Sequence, residues 1–206
     1  MKVTTLTVDC GGTGIKASVL DKSGKLLRDF PYLKTPYPLS PKKLIQIIQD
    51  YVDQDKRVKR VTVGLPGMIR DGKVIAIPHY INKRGPNSPV DLKLKSEWFG
   101  LDLQKKLGKK LDLPTLVLND AQVHAAAVIE GKGLELVLTF GTGLGNAIFS
   151  NGKLSPHLEI SHATIRSGKS IDAWIGEAAR KRMGNTLWSR RVKRLIEELY
   201  PMIVWD

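Results

Sequence analysis

The chain has 206 residues, 42% of them hydrophobic and 26% charged, which is enough length and apolar content to bury a core without disulfide or metal staples. No apolar run approaches the roughly 18 residues of a membrane span, the opening MKVTTLTVDCGG alternates like a strand where a signal core would be continuous, and the single cysteine, Cys10, excludes an internal disulfide and a CxxC zinc site. Lysine and arginine outnumber aspartate and glutamate by 33 to 20, a net +13 that favours a polyanionic partner or a plain solvated basic surface; aromatics are only 6% and not interleaved with the basic residues, so neither nucleic acid nor membrane is expected, and a cytoplasmic location follows.

In chain order, residues 3–8 and 15–20 are β-branched or alternating stretches on either side of CGGTG, and DKSGK turns the chain towards Leu26 and Leu27. Ser40 and Pro41 open a helix whose apolar positions Leu44, Ile47, Ile48, Tyr51 and Val52 recur at spacings of three and four. A strand over Val61–Val63 runs into GLPGM. Residues 78–97 hold three prolines and several lysines, the composition of a substrate-side flap, an insertion or a simple surface excursion. Trp98–Leu111 reads as a helix, and TLVL after Pro114 as a strand. Beyond residue 154, Ile171, Trp174, Ile175, Ala178, Ala179 and Met183 trace a helical stripe ended by Gly184; Leu187–Tyr200 traces another, and MIVWD reads as the start of a strand.

The second half repeats the plan of the first. VDCGGTGIKASVLDKSGKLL and LTFGTGLGNAIFSNGKLS are each a strand, a Gly-Thr-Gly turn, a second strand and a Gly-Lys-Leu turn, so residues 7–27 and 138–154 form one supersecondary unit used twice. Two lobes are expected, residues 1–118 and 119–206. Glycine turns beside Thr and Asp let backbone N–H groups converge on anionic oxygens. No GxxxxGK[ST] occurs, and a strand instead of a helix follows each turn, so phosphate would be gripped by hairpin tips: Gly11, Gly12, Thr13, Gly14 and Lys16 in one lobe, Thr139, Gly141, Thr142 and Gly143 in the other.

At these residues the chain resembles the ROK-family sugar kinases of the actin and hexokinase ATPase superfamily, and among them the polyphosphate glucokinase branch. DCGGTGIKASVLD is similar to the family's phosphate-1 motif, LTFGTGLGNAIFSNGKL to phosphate-2, LVLNDAQVHAAA to the segment with the catalytic acid, and PHLEISH to the sugar-binding Glu-x-Gly-His segment, with Ser161 where that pattern has Gly. The resemblance implies a ribonuclease H-like α/β fold of two lobes with a cleft between them. It also implies phosphoryl transfer from polyphosphate or ATP to the 6-hydroxyl of glucose or a related hexose; a homodimer is expected separately, because a strand over Met202–Trp205 without a following helix would leave apolar sheet surface uncovered. An ATP-only kinase for another hexose or amino sugar is the rival, with a non-catalytic sugar-binding protein of the same fold as a third reading. A sugar-responsive repressor would need a DNA-binding segment ahead of the first hairpin, where fewer than ten residues stand. The likeness runs on to MIVWD, and the family pattern predicts a further C-terminal segment.

Such a transfer needs a base, Mg²⁺ and donors for the phosphate oxygens. Asp120, at a strand-to-helix junction, is the expected base, with Asn119 beside it as cap or sugar ligand. Asp9, at the end of the first strand, is the expected Mg²⁺ residue, acting through water. Glu159 and His162 are expected to read sugar hydroxyls, and Asn82 is a weaker sugar contact; His79, His124 and His157 are taken as structural, with His157 kept open by its nearness to Glu159. Arg180, Lys181, Arg182, Arg190, Arg191, Lys193 and Arg194, on two consecutive helices, form the basic surface expected to support a polyphosphate donor.

Overall fold

A computed structural model describes residues 3–86, 88–166 and 168–206. The chain divides into two compact units, Met1–Val123 and His124–Asp206. That division falls inside a helix, a few residues beyond the 118/119 boundary expected from the sequence.

The first unit is built on a six-stranded sheet. Strands β1 (Thr5–Cys10), β2 (Gly14–Leu20) and β3 (Leu26–Asp29) form an antiparallel meander, with β4 (Leu33–Lys34) also on β2; β5 (Arg60–Leu65) and β8 (Thr115–Asn119) add in parallel, giving the order β3-β2-β1-β5-β8. Alternation sets the faces: Leu6, Val8 and Cys10 on β1 and Ile15, Ala17 and Val19 on β2 are buried, whereas Asp9 and Lys16, directly opposite each other, are more open. Helix α1 (Pro41–Gln54) starts where the sequence predicts. The Ser40 side chain accepts from the Lys43 N–H at 3.3 Å, Pro41 occupies the first turn, and Leu44, Ile48 and Tyr51 are buried in the core that Ile47 and Val52 flank.

Two expectations need correction in the crossover from β5 to β8. The single helix read over Trp98–Leu111 is two, α2 (Leu92–Trp98) and α3 (Leu103–Leu111), separated at Gly100 (φ 76°), with Asp91 and Asp102 accepting first-turn N–H groups. The 78–97 segment is therefore not all loop: α2 begins in it, and Asn82 bridges Val90. A hairpin of β6 (Met68–Arg70) and β7 (Lys73–Ala76), not among the expected elements, follows β5. Its turn, Asp71-Gly72 with φ of 48° and 74°, is a left-handed pair that the Asp-Gly dipeptide signals.

In the second unit α4 (Asp120–Ala125), whose first residues belong to the first unit, leads to the antiparallel sheet of β9 (Leu134–Phe140), β10 (Leu144–Ser150) and β11 (Lys153–Leu154). The meander of the first unit thus recurs, as the repeat predicts. One face carries Leu136, Leu138 and Leu144 against α5 (Ile171–Ile175) and the long helical segment α6 (Glu177–Ile203); the other carries Val137, Ala147 and Phe149 against Ala125. A short hairpin, β12 (Thr164–Arg166) with β13 (Lys169–Ser170), precedes α5. Gly184 (φ 79°, ψ 163°) breaks α6 where a helix stop is expected. The strand expected over MIVWD is absent: burial of Leu195 and Leu199 carries the helix on to Ile203, and Val204 (φ 53°) ends it. Only Asp206 makes a strand-like contact, exchanging hydrogen bonds with the Leu134 backbone.

Candidate functional site

In the first unit, three parallel strands end at one edge of the sheet, where the carboxyl ends of open α/β sheets hold ligands. Asp9 pairs in register with Gly64, and Gly64 with Leu118, so Asp9, Gly64 and the Asn119-Asp120 step share that edge. Gly64 is needed there because a Cβ would come within 3.2 Å of the Asp120 Cα. Asn119 is buried and acts as a bracket. Its Nδ2 donates to the Gly67 carbonyl at 2.9 Å, and its Oδ1 accepts from the Ala121 N–H at 2.9 Å. Asp120 is half-buried, and its Oδ1 also accepts from the Ala121 N–H, at 2.9 Å. The fields of Asp9 and Asp120 meet at Cys10, whose thiol is pushed far above its ordinary range by burial first and by these two carboxylates next.

The first glycine turn closes with the Gly11 N–H donating to the Gly14 carbonyl at 2.8 Å. Its other carbonyls are held from outside. The Gly11 oxygen accepts from Thr35 Oγ1 (2.9 Å) and the Tyr80 hydroxyl (3.2 Å), the Gly12 oxygen from the Tyr37 hydroxyl (2.8 Å), and the Thr13 oxygen from the Tyr32 hydroxyl (3.0 Å). The three carbonyls of the turn are thus engaged from outside it. The His79 ring lies against Gly12, where a Cβ would come within 3.2 Å of it, and burial lowers its pKa, keeping it neutral at neutral pH. Sequence reasoning misses this hydroxyl clamp, although the Tyr-x-x-Thr-x-Tyr run straight after the hairpin is its signature. The structure gives the 78–97 segment, left open between flap, insertion and surface excursion, a place beside this turn: Tyr80 bonds the Gly11 carbonyl and His79 lies against Gly12, while Asn82 is buried in its bridge to Val90.

In the second unit, the Gly141 N–H donates to the Gly143 carbonyl at 3.0 Å, and the Glu177 N–H donates to the Gly141 carbonyl at 3.1 Å. Asp172 Oδ1 accepts from the Leu144 N–H at 2.6 Å; Gly143 is required because a Cβ would overlap that carboxylate. Thr142 is exposed at the tip, Thr139 sits opposite Gly145, and Phe140 packs edge-to-face on Trp188 at 5.5 Å. Asp172 and Trp188 have no motif of their own and are found only through these contacts.

Glu159 precedes a 3₁₀ turn, Ile160–His162. Its Oε1 accepts from Ser161 Oγ at 2.5 Å and its Oε2 lies 3.4 Å from His157 Nε2. Burial pushes the Glu159 carboxyl up, but the bonds from His157 and Ser161 and the fields of His157 and His162 together hold it below its ordinary value. His162 is exposed, and His157 is buried with Nδ1 unpartnered among the described residues.

A meander of antiparallel strands continued by parallel strands and helices, with a glycine turn after the first strand and the same meander repeated, is the fold of the actin and hexokinase ATPases. The ROK family pattern matches residues 5–159, and the chain belongs to the ROK family. It is 28% identical over 201 residues to a polyphosphate glucokinase of Mycobacterium leprae, covering 92% of this chain and 57% of the relative. To an N-acetylmannosamine kinase of Escherichia coli O157:H7 it is 33% identical over 158 residues, covering 74% of this chain and 49% of the relative. The chain thus spans about half of these relatives' length. Among solved structures, the inorganic polyphosphate/ATP-glucomannokinase of Arthrobacter sp. strain KM superposes with a TM-score of 0.76 at 28% identity, covering 99% of this chain and 81% of that one.

Proposed function

We propose that this chain is a sugar kinase that moves a terminal phosphoryl group from polyphosphate or ATP to the 6-hydroxyl of glucose or a closely related hexose. The observation that carries the reading is the clamp on the first glycine turn: three consecutive carbonyls are drawn away by tyrosine and threonine hydroxyls, which suits the turn's N–H groups to phosphate oxygens. Lys16, exposed on the strand that leaves the turn, adds a positive charge. In the second unit Gly141, Thr142 and Gly143 serve the donor in the same way, with Thr139 at their base.

Asp120 takes the proton from the attacking hydroxyl, held in place by the Asn119 bracket, whose second amide hydrogen is left for a sugar hydroxyl. Glu159 accepts from sugar hydroxyls and His162 is a further sugar contact. Among the described residues no group of three His, Cys, Asp or Glu forms a cage for a metal ion. A single carboxylate beside a glycine turn instead fits Mg²⁺, which keeps several waters and takes its remaining ligands from phosphate; Asp9 would hold it. When bound, the ion neutralises charge on the transferring phosphoryl group.

A second acceptor, an N-acetylated hexosamine, is favoured by the 33% identical relative. The test offers glucose, mannose and N-acetylmannosamine, each with ATP or polyphosphate separately, in an assay for the sugar phosphate. Asp120→Asn is expected to lower turnover by about two to four decades while sugar binding, followed calorimetrically, is kept. Substantial turnover in Asp120→Asn, or no sugar phosphate from any pair, would overturn the reading.

A further inference from the structure

Two buried side-chain atoms of the second unit, Asn146 Oδ1 and His157 Nδ1, have no hydrogen-bond partner among the described residues; their residues are 1% and 4% exposed. Buried polar groups are ordinarily satisfied, and Asn146 stands where its neighbours are apolar. It alternates with Leu144 on β10 and lies opposite Leu138 on β9, on the face of the sheet that α5 covers. The chain from residue 155 to 160 runs back along the same strand. The Ser155 N–H donates to the Ile148 carbonyl at 2.8 Å, and the turn Ile160–His162 packs against β10. His157 falls between those two contacts as Asn146 falls between Ile148 and Leu144, so both unpartnered atoms belong to one stretch of β10, behind Glu159.

We propose that a water molecule resident between Asn146 Oδ1 and His157 Nδ1 makes His157 the positioning residue of Glu159; what Glu159 receives rests on the kinase reading above. His157 Nε2 lies 3.4 Å from Glu159 Oε2. A carboxylate only accepts, so this nitrogen carries the hydrogen, and in the neutral ring Nδ1 is left as an acceptor. Asn146 Oδ1 is an acceptor as well. Two acceptors cannot bond each other, whereas one molecule with two O–H bonds donates to both. Both atoms are closed to solvent, so the donor is enclosed with the folded chain, and water is the molecule of that size, held by two to four polar partners. Accepting at Nδ1 fixes the Nε2–H tautomer, because the bond made by one ring nitrogen decides which of the two carries the proton. Glu159 is then held at both oxygens, Oε1 by Ser161 Oγ and Oε2 by His157, and the lone pairs left over face one direction. Asn146 and His157 touch no sugar themselves and act only through that carboxylate.

The experiment combines a crystal structure of the whole chain, ¹⁵N spectroscopy of the chain labelled at histidine, and calorimetric titration with glucose. A water within about 3.2 Å of both atoms is expected, with the His157 ring in its Nε2–H tautomer. In Asn146→Leu, which keeps the volume and removes the acceptor, the Nδ1 signal is expected to move towards that of an unbonded ring nitrogen. Glucose affinity is expected to fall about tenfold in His157→Leu and about threefold in Asn146→Leu, and His157→Gln, whose amide still donates to Glu159, is expected to restore most of it. A direct bond between Asn146 and His157, a doubly protonated ring, an unmoved Nδ1 signal in Asn146→Leu, or His157→Gln binding no better than His157→Leu would overturn the proposal. The crystal structure and the parent's spectrum need no variant to fold. If the parent binds no glucose and phosphorylates no sugar, the kinase reading fails, while the water and the tautomer still decide this one.

Discussion

Ser161 Oγ donates to Glu159 Oε1 at 2.5 Å, from a position 2% exposed, and so orients the carboxylate proposed to receive the sugar. The hydroxyl of Ser161 is turned inward onto the acceptor two residues before it.

Ser161→Ala removes one of the bonds that hold the Glu159 carboxyl below its ordinary pKa. A depressed carboxylate pKa means that its charged, accepting form, and the stability it contributes, persist above the unfolded value and are lost as pH falls through the folded one. The substitution raises the folded value, so the acid limb of sugar affinity moves to higher pH. At neutral pH the KM for sugar is expected to rise about threefold to tenfold with kcat within about twofold. A pH profile identical to the parent's would show that Ser161 only fills space.

Gly67 illustrates a backbone contact that serves the site. A Cβ there would overlap the Ala76 carbonyl and come within 3.0 Å of the Ile77 Cα, and the Gly67 carbonyl is the acceptor that anchors Asn119. Gly67→Ala is expected to cost about 1–3 kcal/mol in urea unfolding and to lower turnover, since β7 has to shift and the Asn119 bracket loosens. Gly108→Ala is the counterpart: it lies inside α3 with its nearest neighbour an ordinary 3.6 Å away, and a gain of about 1 kcal/mol is expected.

Cys10 is fully buried, and its thiol is held protonated by burial, then by Asp9 and Asp120. Since the thiolate is the reactive form, an aromatic disulfide reagent at pH 8 is expected to modify the native chain at no more than the rate of unfolding, and promptly in guanidinium. Fast labelling of the native chain would contradict the packing of β1 against the core.

Local chemistry decides what the sequence alone determines here. The two glycine hairpins, the Ser40-Pro41 helix start, the helix stop at Gly184 and the placing of Asp120 after an apolar strand all depend on φ/ψ preferences and periodicities that act within a few residues, so they are legible in the chain. MIVWD shows the limit. Its β-rich composition favours a strand, but burial of Leu195 and Leu199 one and two turns earlier keeps the segment helical up to Ile203. The clamp on the first turn joins Tyr80 to Gly11 across 69 positions, and the bracket joins Asn119 to Gly67 across 52. No spacing rule encodes such pairs, because which hydroxyl reaches which carbonyl depends on how the sheet and its crossovers fold back. The same holds for charge: Arg191 is set apart from the other basic residues of α6 only by the Trp174 carbonyl and ring that α5 brings beside it.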